Sequence, residues 1–195
     1  MSPQTFVFIG RSGCGKGTQA DLLQKLLVEK DSSMPIFYLE TGQEFRDFIA
    51  TPGYTNTLAK VIQEEGELQP SFLSVSIWAS ILIKNLKEKQ HLVIDGTPRK
   101  LGEAIIFTEA MRFYSRKPHI VYLNVSRKWS EDRLEERHRS DDMYSMVKRR
   151  LDWFDSEVMP AVQYFMTNLD VNFFDINGER TISEIHRDIV EKLGW

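Results

Sequence analysis

The chain has one cysteine, Cys14, among its 195 residues. That excludes an internal disulfide and any zinc site built from clustered thiolates. The default setting for so thiol-poor a chain is a reducing one, the cytoplasm. No apolar run reaches bilayer length. The most apolar window, Phe72 to Leu86, is interrupted by Ser74, Ser76, Ser80, Lys84 and Asn85, and it reads as a buried helix rather than a membrane span. The N-terminal residues lack the basic-then-apolar pattern of a secretion signal. There is no basic excess: the formal net charge is −3, which argues against a nucleic-acid partner. The histidines His91, His119, His138 and His186 are scattered without ligand spacing. No internal repeat or low-complexity linker divides the chain, and its length suits one α/β domain, 1–195.

What is present is an alternation of strand-like and helix-like segments, the signature of a parallel sheet covered on both faces. The strands are expected at Thr5–Ile9, Ile36–Glu40, Leu92–Asp95, His119–Val125 and Val171–Ile176. Their near-continuous apolar character fits burial on both sides. Helical spacing aligns Leu23, Leu26 and Leu27; then Phe72, Val75, Ala79, Leu82, Ile83 and Leu86; then Met146, Val147, Leu151, Phe154 and Val158, on a helix that Pro160 should kink; then Ile182, Ile185, Ile189 and Leu193. These stripes are expected to be core. Thr181 with Glu184 forms a capping box. Two regions break the alternation: Thr41 to Pro70 holds two short helix-like pieces and no strand, and Arg133 to Arg150 is rich in arginine.

The most informative stretch is Gly10-Arg11-Ser12-Gly13-Cys14-Gly15-Lys16-Gly17-Thr18, between the first strand and the first helix. Its glycines let backbone N–H groups turn inward around phosphate oxygens, Lys16 supplies a point charge, and the helix N-terminus adds its dipole. Gly17, not Ser or Thr, follows the lysine. With Gly-Lys-Gly-Thr in that place, the chain resembles the nucleoside monophosphate kinases of the adenylate kinase type, and the resemblance covers essentially all of it.

The resemblance implies a three-layer phosphate-loop fold with a five-stranded parallel sheet. It implies a helical monophosphate-binding insertion at 41–70 and a very short lid at 137–142. It implies ATP as donor, Mg²⁺ as cofactor, nucleotides as the only partners, and a monomer. Gly13, Cys14, Gly15, Lys16, Gly17 and Thr18 would cradle the ATP phosphates, with Arg133 and Gly178 near the donor adenine. For Cys14 the residue chemistry alone suggests a small side chain fitting a tight loop, with a reactive thiol, its pKa lowered by the helix N-terminus, as the alternative.

Further motifs follow in the family's order. Asp95-Gly96-Thr97-Pro98-Arg99 closes the third strand and resembles the family's Asp-Gly-Phe-Pro-Arg, with Thr97 replacing the aromatic. Asp95 would order Mg²⁺ through water, Gly96 would let a base approach, and Arg99 would fork onto a phosphate. Thr41-Gly42-Gln43-Glu44-Phe45-Arg46 is similar to Thr-Gly-Asp-x-x-Arg. Thr41 would face the acceptor base and Arg46 its phosphate, with Gln69 nearby. Arg137, Arg139 and Arg150 match the arginines that clamp the transferring group. Glu131, Asp132, Glu135 and Glu136 are interleaved there, so a solvated charged helix is the competing reading. Only His138, Arg139 and Ser140 separate Arg137 from Asp141, a lid shorter than is usual in the family.

The expected reaction is ATP + AMP giving two ADP, with Lys16, Arg99, Arg137, Arg139 and Arg150 as catalytic cations. Thr41 favours AMP. Glu103 argues otherwise, because it stands where adenylate kinases carry Gln. An ionised carboxylate only accepts hydrogen bonds, which suits guanine better than adenine unless Glu103 is protonated, bridged by water or turned to Lys100. A GMP- or UMP/CMP-preferring kinase, or a binding module with little turnover, are the alternatives.

Overall fold

The computed structural model describes residues 2–137 and 144–195. Arg139, His138, Ser140, Asp141 and Asp142 of the expected lid, and the side chain of Arg137, lie outside the described residues. Five parallel strands form one sheet, ordered β2-β3-β1-β4-β5: β1 is Thr5–Gly10, β2 Ile36–Glu40, β3 His91–Asp95, β4 His119–Asn124 and β5 Asn172–Asn177. Each differs from its expected range by a residue or two at most.

The helices are α1 (Lys16–Lys30), α2 (Thr41–Ala50), α3 (Tyr54–Glu64), α4 (Ser71–Asn85), α5 (Leu101–Phe113), α6 (Arg127–Arg137), α7 (Tyr144–Trp153), α8 (Met159–Thr167) and α9 (Ile182–Lys192). Between α7 and α8 runs a single π-helical turn, Phe154–Val158. Pro160 lacks an N–H, and its ring would crowd the carbonyl four residues back. The widened turn just before it accommodates that defect within a continuing helix. The Thr181–Glu184 capping box forms as expected at the start of α9.

The alternation of β1 divides the core. Val7 and Ile9 face a cluster completed by Trp78 and Leu82 of α4, Phe107 and Met111 of α5, and Ala161, Val162 and Phe165 of α8. Phe6 and Phe8 face the other, with Leu23 and Leu27 of α1 and Ile185 and Ile189 of α9. The stripe expected on α4 is corrected. Phe72 and Ile83 are 71% and 74% exposed, whereas Leu73, Ser74, Trp78 and Leu82 are buried. This helix is apolar on nearly every side, so residue type does not fix its rotation. The edge-to-face packing of Trp78 on Phe107, at 6.1 Å between ring centroids, does. Ile182 is likewise exposed, in the first turn of α9.

Because all strands run one way, their carboxyl ends share an edge. β1 sits between β3 and β4, so the loops after β1 and β3 meet where the chain switches direction across the sheet. That is where open α/β sheets bind ligands.

Candidate active site

The loop after β1 is shaped by what its glycines permit. A Cβ on Gly10 would lie 2.7 Å from both Cys14 Sγ and the Leu123 carbonyl oxygen, so nothing larger fits. Gly15 starts α1 with φ 92, a left-handed conformation that side chains rarely adopt. No side chain among the described residues caps α1, which leaves its first amides directed at the loop. Lys16 Nζ donates to the Gly10 and Arg11 carbonyls at 3.0 Å each.

Arg11 points away from this opening. It donates to Asp155 at 2.6 Å and to the Val125 carbonyl at 3.2 Å, and its guanidinium lies 4.4 Å from the centroid of Phe154. Asp155 stands also 3.8 Å from Arg127, whose other nitrogen pairs with Asp152 at 2.7 Å. The phosphate loop is thus tied to the π-helical turn after α7.

The register of β2 on β3 sets Glu40 beside Asp95. Thr41 and Gly96, one residue on, therefore open into the same cleft, which has a volume of about 610 Å³. Its walls bring together Lys16, Thr41, Arg46, Asp95, Arg99 and Arg150, with Gly13, Gly15, Gly17, Thr18, Gln69, Gly96 and Glu103. Among the described residues, Asp95 Oδ1, Thr41 Oγ1 and Gln69 Oε1 are buried without a hydrogen-bond partner.

Arg99 is the most constrained cation. Its Nε donates to the Gly96 carbonyl at 2.8 Å, its backbone N–H donates to Glu103 at 2.9 Å, and its guanidinium faces Trp153, 5.6 Å from that ring's centroid. Burial pushes it below its ordinary pKa. Glu103 and Asp95 oppose that, and the charge of Arg150 adds to it, so the two guanidinium groups feel one another. Trp153 in turn donates to the Gly66 carbonyl at 3.0 Å, fixing α7 over the cleft. Arg46 is held by Glu40 at 3.0 Å and by Gln43 at 2.8 Å.

Asp95 is raised above its ordinary value, chiefly by burial; Lys16 opposes this, Glu40 reinforces it, Arg99 opposes it and Asp21 reinforces it. A carboxyl whose folded pKa exceeds the unfolded one costs stability where it is ionised. The cost is absent below the unfolded value, about 4, and develops as pH rises through the folded one. Asp95→Asn is therefore expected to melt higher than the unsubstituted chain at pH 7. The difference should vanish near pH ~4. Calorimetry without nucleotide or divalent cation measures it, and a lower melting temperature at pH 7 contradicts it.

Three expected site residues stay out of the cleft. The Cys14 side chain packs into the core beneath the loop, its thiol pushed up by burial, and its amide donates to the Arg11 carbonyl at 3.2 Å. Arg133 lies over Trp129, 5.1 Å from the ring centroid, and pairs with Glu136 at 3.5 Å. The Gly178 amide donates to the Asn124 carbonyl at 2.9 Å. Conversely Asp21, Tyr38, Glu40, Phe45 and Trp153 line the cleft and were not expected. Trp153 follows Arg150 by three residues, one helical turn, and that spacing was a usable signal. Glu40 is placed by strand pairing, which no local pattern reveals.

A family model described as adenylate kinase matches residues 8–169. The chain belongs to the adenylate kinase family. Membership makes it a phosphotransferase of nucleotides, on the five-stranded parallel fold described above. It is 29% identical over 181 residues to an adenylate kinase of Oenococcus oeni, covering 92% of this chain and 93% of that one. It is 31% identical over 189 residues to an adenylate kinase of Prochlorococcus marinus strain MIT 9515, covering 96% and 97%. It is also 27% identical over 191 residues to a uridylate kinase of Saccharomyces cerevisiae, covering 95% and 88%.

Proposed function

We propose that this adenylate kinase-family chain moves the γ-phosphoryl group of ATP to a nucleoside monophosphate, AMP included, with both nucleotides lying tail to tail in the cleft. The observation that carries this reading is the convergence of Lys16, Arg46, Arg99 and Arg150 on one cavity of about 610 Å³. Phosphoryl transfer asks the protein mainly to position anionic groups in line and to stabilise their charge. The loop glycines, Lys16 and Thr18 hold the donor phosphates. Thr41 and Arg46 receive the acceptor, and Arg99 neutralises its phosphate. Arg150 meets the transferring group, with Arg137 and Arg139 completing the clamp from the lid segment. No general base is required, because the attacking phosphate oxygen is already anionic.

Asp95, whose Oδ1 is buried without a partner among the described residues, whose Oδ2 faces Gly17 and which feels the charge of Lys16, fits a carboxylate that orders a hydrated Mg²⁺. When bound, that ion neutralises charge on the donor's phosphate oxygens. Among the described residues no helix is long and apolar enough to cross a membrane. We read the chain as a monomer working on small nucleotides in the cytoplasm, where its single, buried cysteine stays reduced. A coupled assay with ATP, Mg²⁺ and AMP tests the reading: ADP should form at roughly 1–10³ turnovers per second. Tight nucleotide binding without ADP formation would instead make the chain a binding module.

A further inference from the structure

The acceptor end of the cleft is rich in hydrogen-bond acceptors that are already fixed in place. Glu103, 2% exposed, sits in the first turn of α5 with one oxygen on the Arg99 amide at 2.9 Å, and its side chain lines the cleft. Gln69 lines the same cleft. Its amide nitrogen donates to the Ala59 carbonyl at 2.8 Å, which commits the other end of the group, and Oε1 is buried without a partner among the described residues. Ser74 and Thr41 add hydroxyls, which donate or accept as needed.

Two acceptors therefore call for a base that brings donors. Adenine brings one donor group, its 6-amino, beside an acceptor, N1. Cytosine also pairs one amino group with an acceptor nitrogen. Uracil brings a single N–H between two carbonyls. Guanine alone presents adjacent donors, N1–H and the 2-amino group, spaced for the two oxygens of one carboxylate. Its remaining amino hydrogen is then available to Gln69 Oε1.

We propose that the acceptor pocket takes GMP at least as well as AMP, with Glu103 as the residue that sets the choice. This rests on the phosphotransferase reading above. A phosphate oxygen of GMP forms a bond to the γ-phosphorus of ATP while the bond from that phosphorus to the β–γ bridging oxygen breaks. The products are GDP and ADP, and no proton or further reactant is required.

Steady-state kinetics on the full chain with ATP and Mg²⁺, varying GMP or AMP, test it. The kcat/KM for GMP should equal or exceed that for AMP. Glu103→Gln, whose amide both donates and accepts, should move the GMP-to-AMP ratio toward AMP on the order of 10–100-fold. An unchanged ratio in a folded variant overturns the assignment. Because Glu103 also holds the Arg99 amide, a second comparison uses the unsubstituted protein. IMP lacks only the 2-amino group and should be about tenfold poorer than GMP; equal use of the two overturns the proposal. Ready turnover of AMP with GMP ignored sinks this inference and leaves the phosphotransferase reading standing. Absence of turnover with every monophosphate, despite ATP binding, sinks that reading itself.

Discussion

Arg99→Ala should lower kcat roughly 10³-fold, a loss of about 4 kcal/mol of transition-state stabilisation. Its guanidinium, half-buried in the cleft wall, is steadied by the Gly96 carbonyl and by Trp153, and it feels the charge of Arg150. A cation fixed in this way costs little reorganisation when charge builds on a phosphoryl group. Its removal should therefore reduce kcat and kcat/KM together rather than raise KM alone. Arg99→Lys should recover little, since an ammonium cannot span two phosphate oxygens as a planar fork does. Initial rates across AMP concentrations, with circular dichroism confirming the fold, decide the matter. Near-normal turnover of a folded Arg99→Ala protein would remove Arg99 from the reacting centre.

The second large effect lies away from the cleft. Phe107 is fully buried in α5, packed edge-on against Trp78 of α4 and within the same core cluster as Val7, Ile94 and Phe165. Truncating such a ring removes its burial and leaves a void that close-packed neighbours fill only partly. Phe107→Ala should destabilise the chain by about 3–5 kcal/mol. A thermal midpoint lower by ~6–20 °C would follow for a chain of this length. Urea unfolding reads it as a shift in midpoint at constant slope. A change under about 1 kcal/mol would mean that α4 and α5 repack freely, and that the phase of α4 is not set by this pair.

The central strands β1, β3 and β4 were legible because a strand buried on both faces is written as a short apolar run; the edge strands β2 and β5 correct that expectation, since only Leu39 and Ile176 in them are buried. The phosphate loop and the Asp95-to-Arg99 segment were legible for a different reason: each is local, with its chemistry compressed into nine or fewer consecutive residues. What escaped depends on pairing at a distance. Glu40 reaches the cleft through its register with Asp95, Trp153 through its bond to Gly66, and Phe72 turns outward because Trp78 claims the interior. Cys14, Arg133 and Gly178 stand where the family pattern would use them but do not line the cleft, and each has a neighbour of its own. For Cys14 that neighbour is the core beneath the loop; for Arg133 it is the pair Trp129 and Glu136; for Gly178 it is Asn124.

The tie between Arg11 and Asp155 changes what an incoming polyphosphate meets. By its letters the stretch from Gly10 to Thr18 offers two positive side chains. One of them is matched before any ligand arrives, by a carboxylate that lies 144 positions further along the chain. The pull felt at the mouth of this loop is accordingly that of Lys16 and a ring of peptide dipoles, and tallying basic letters there overstates it.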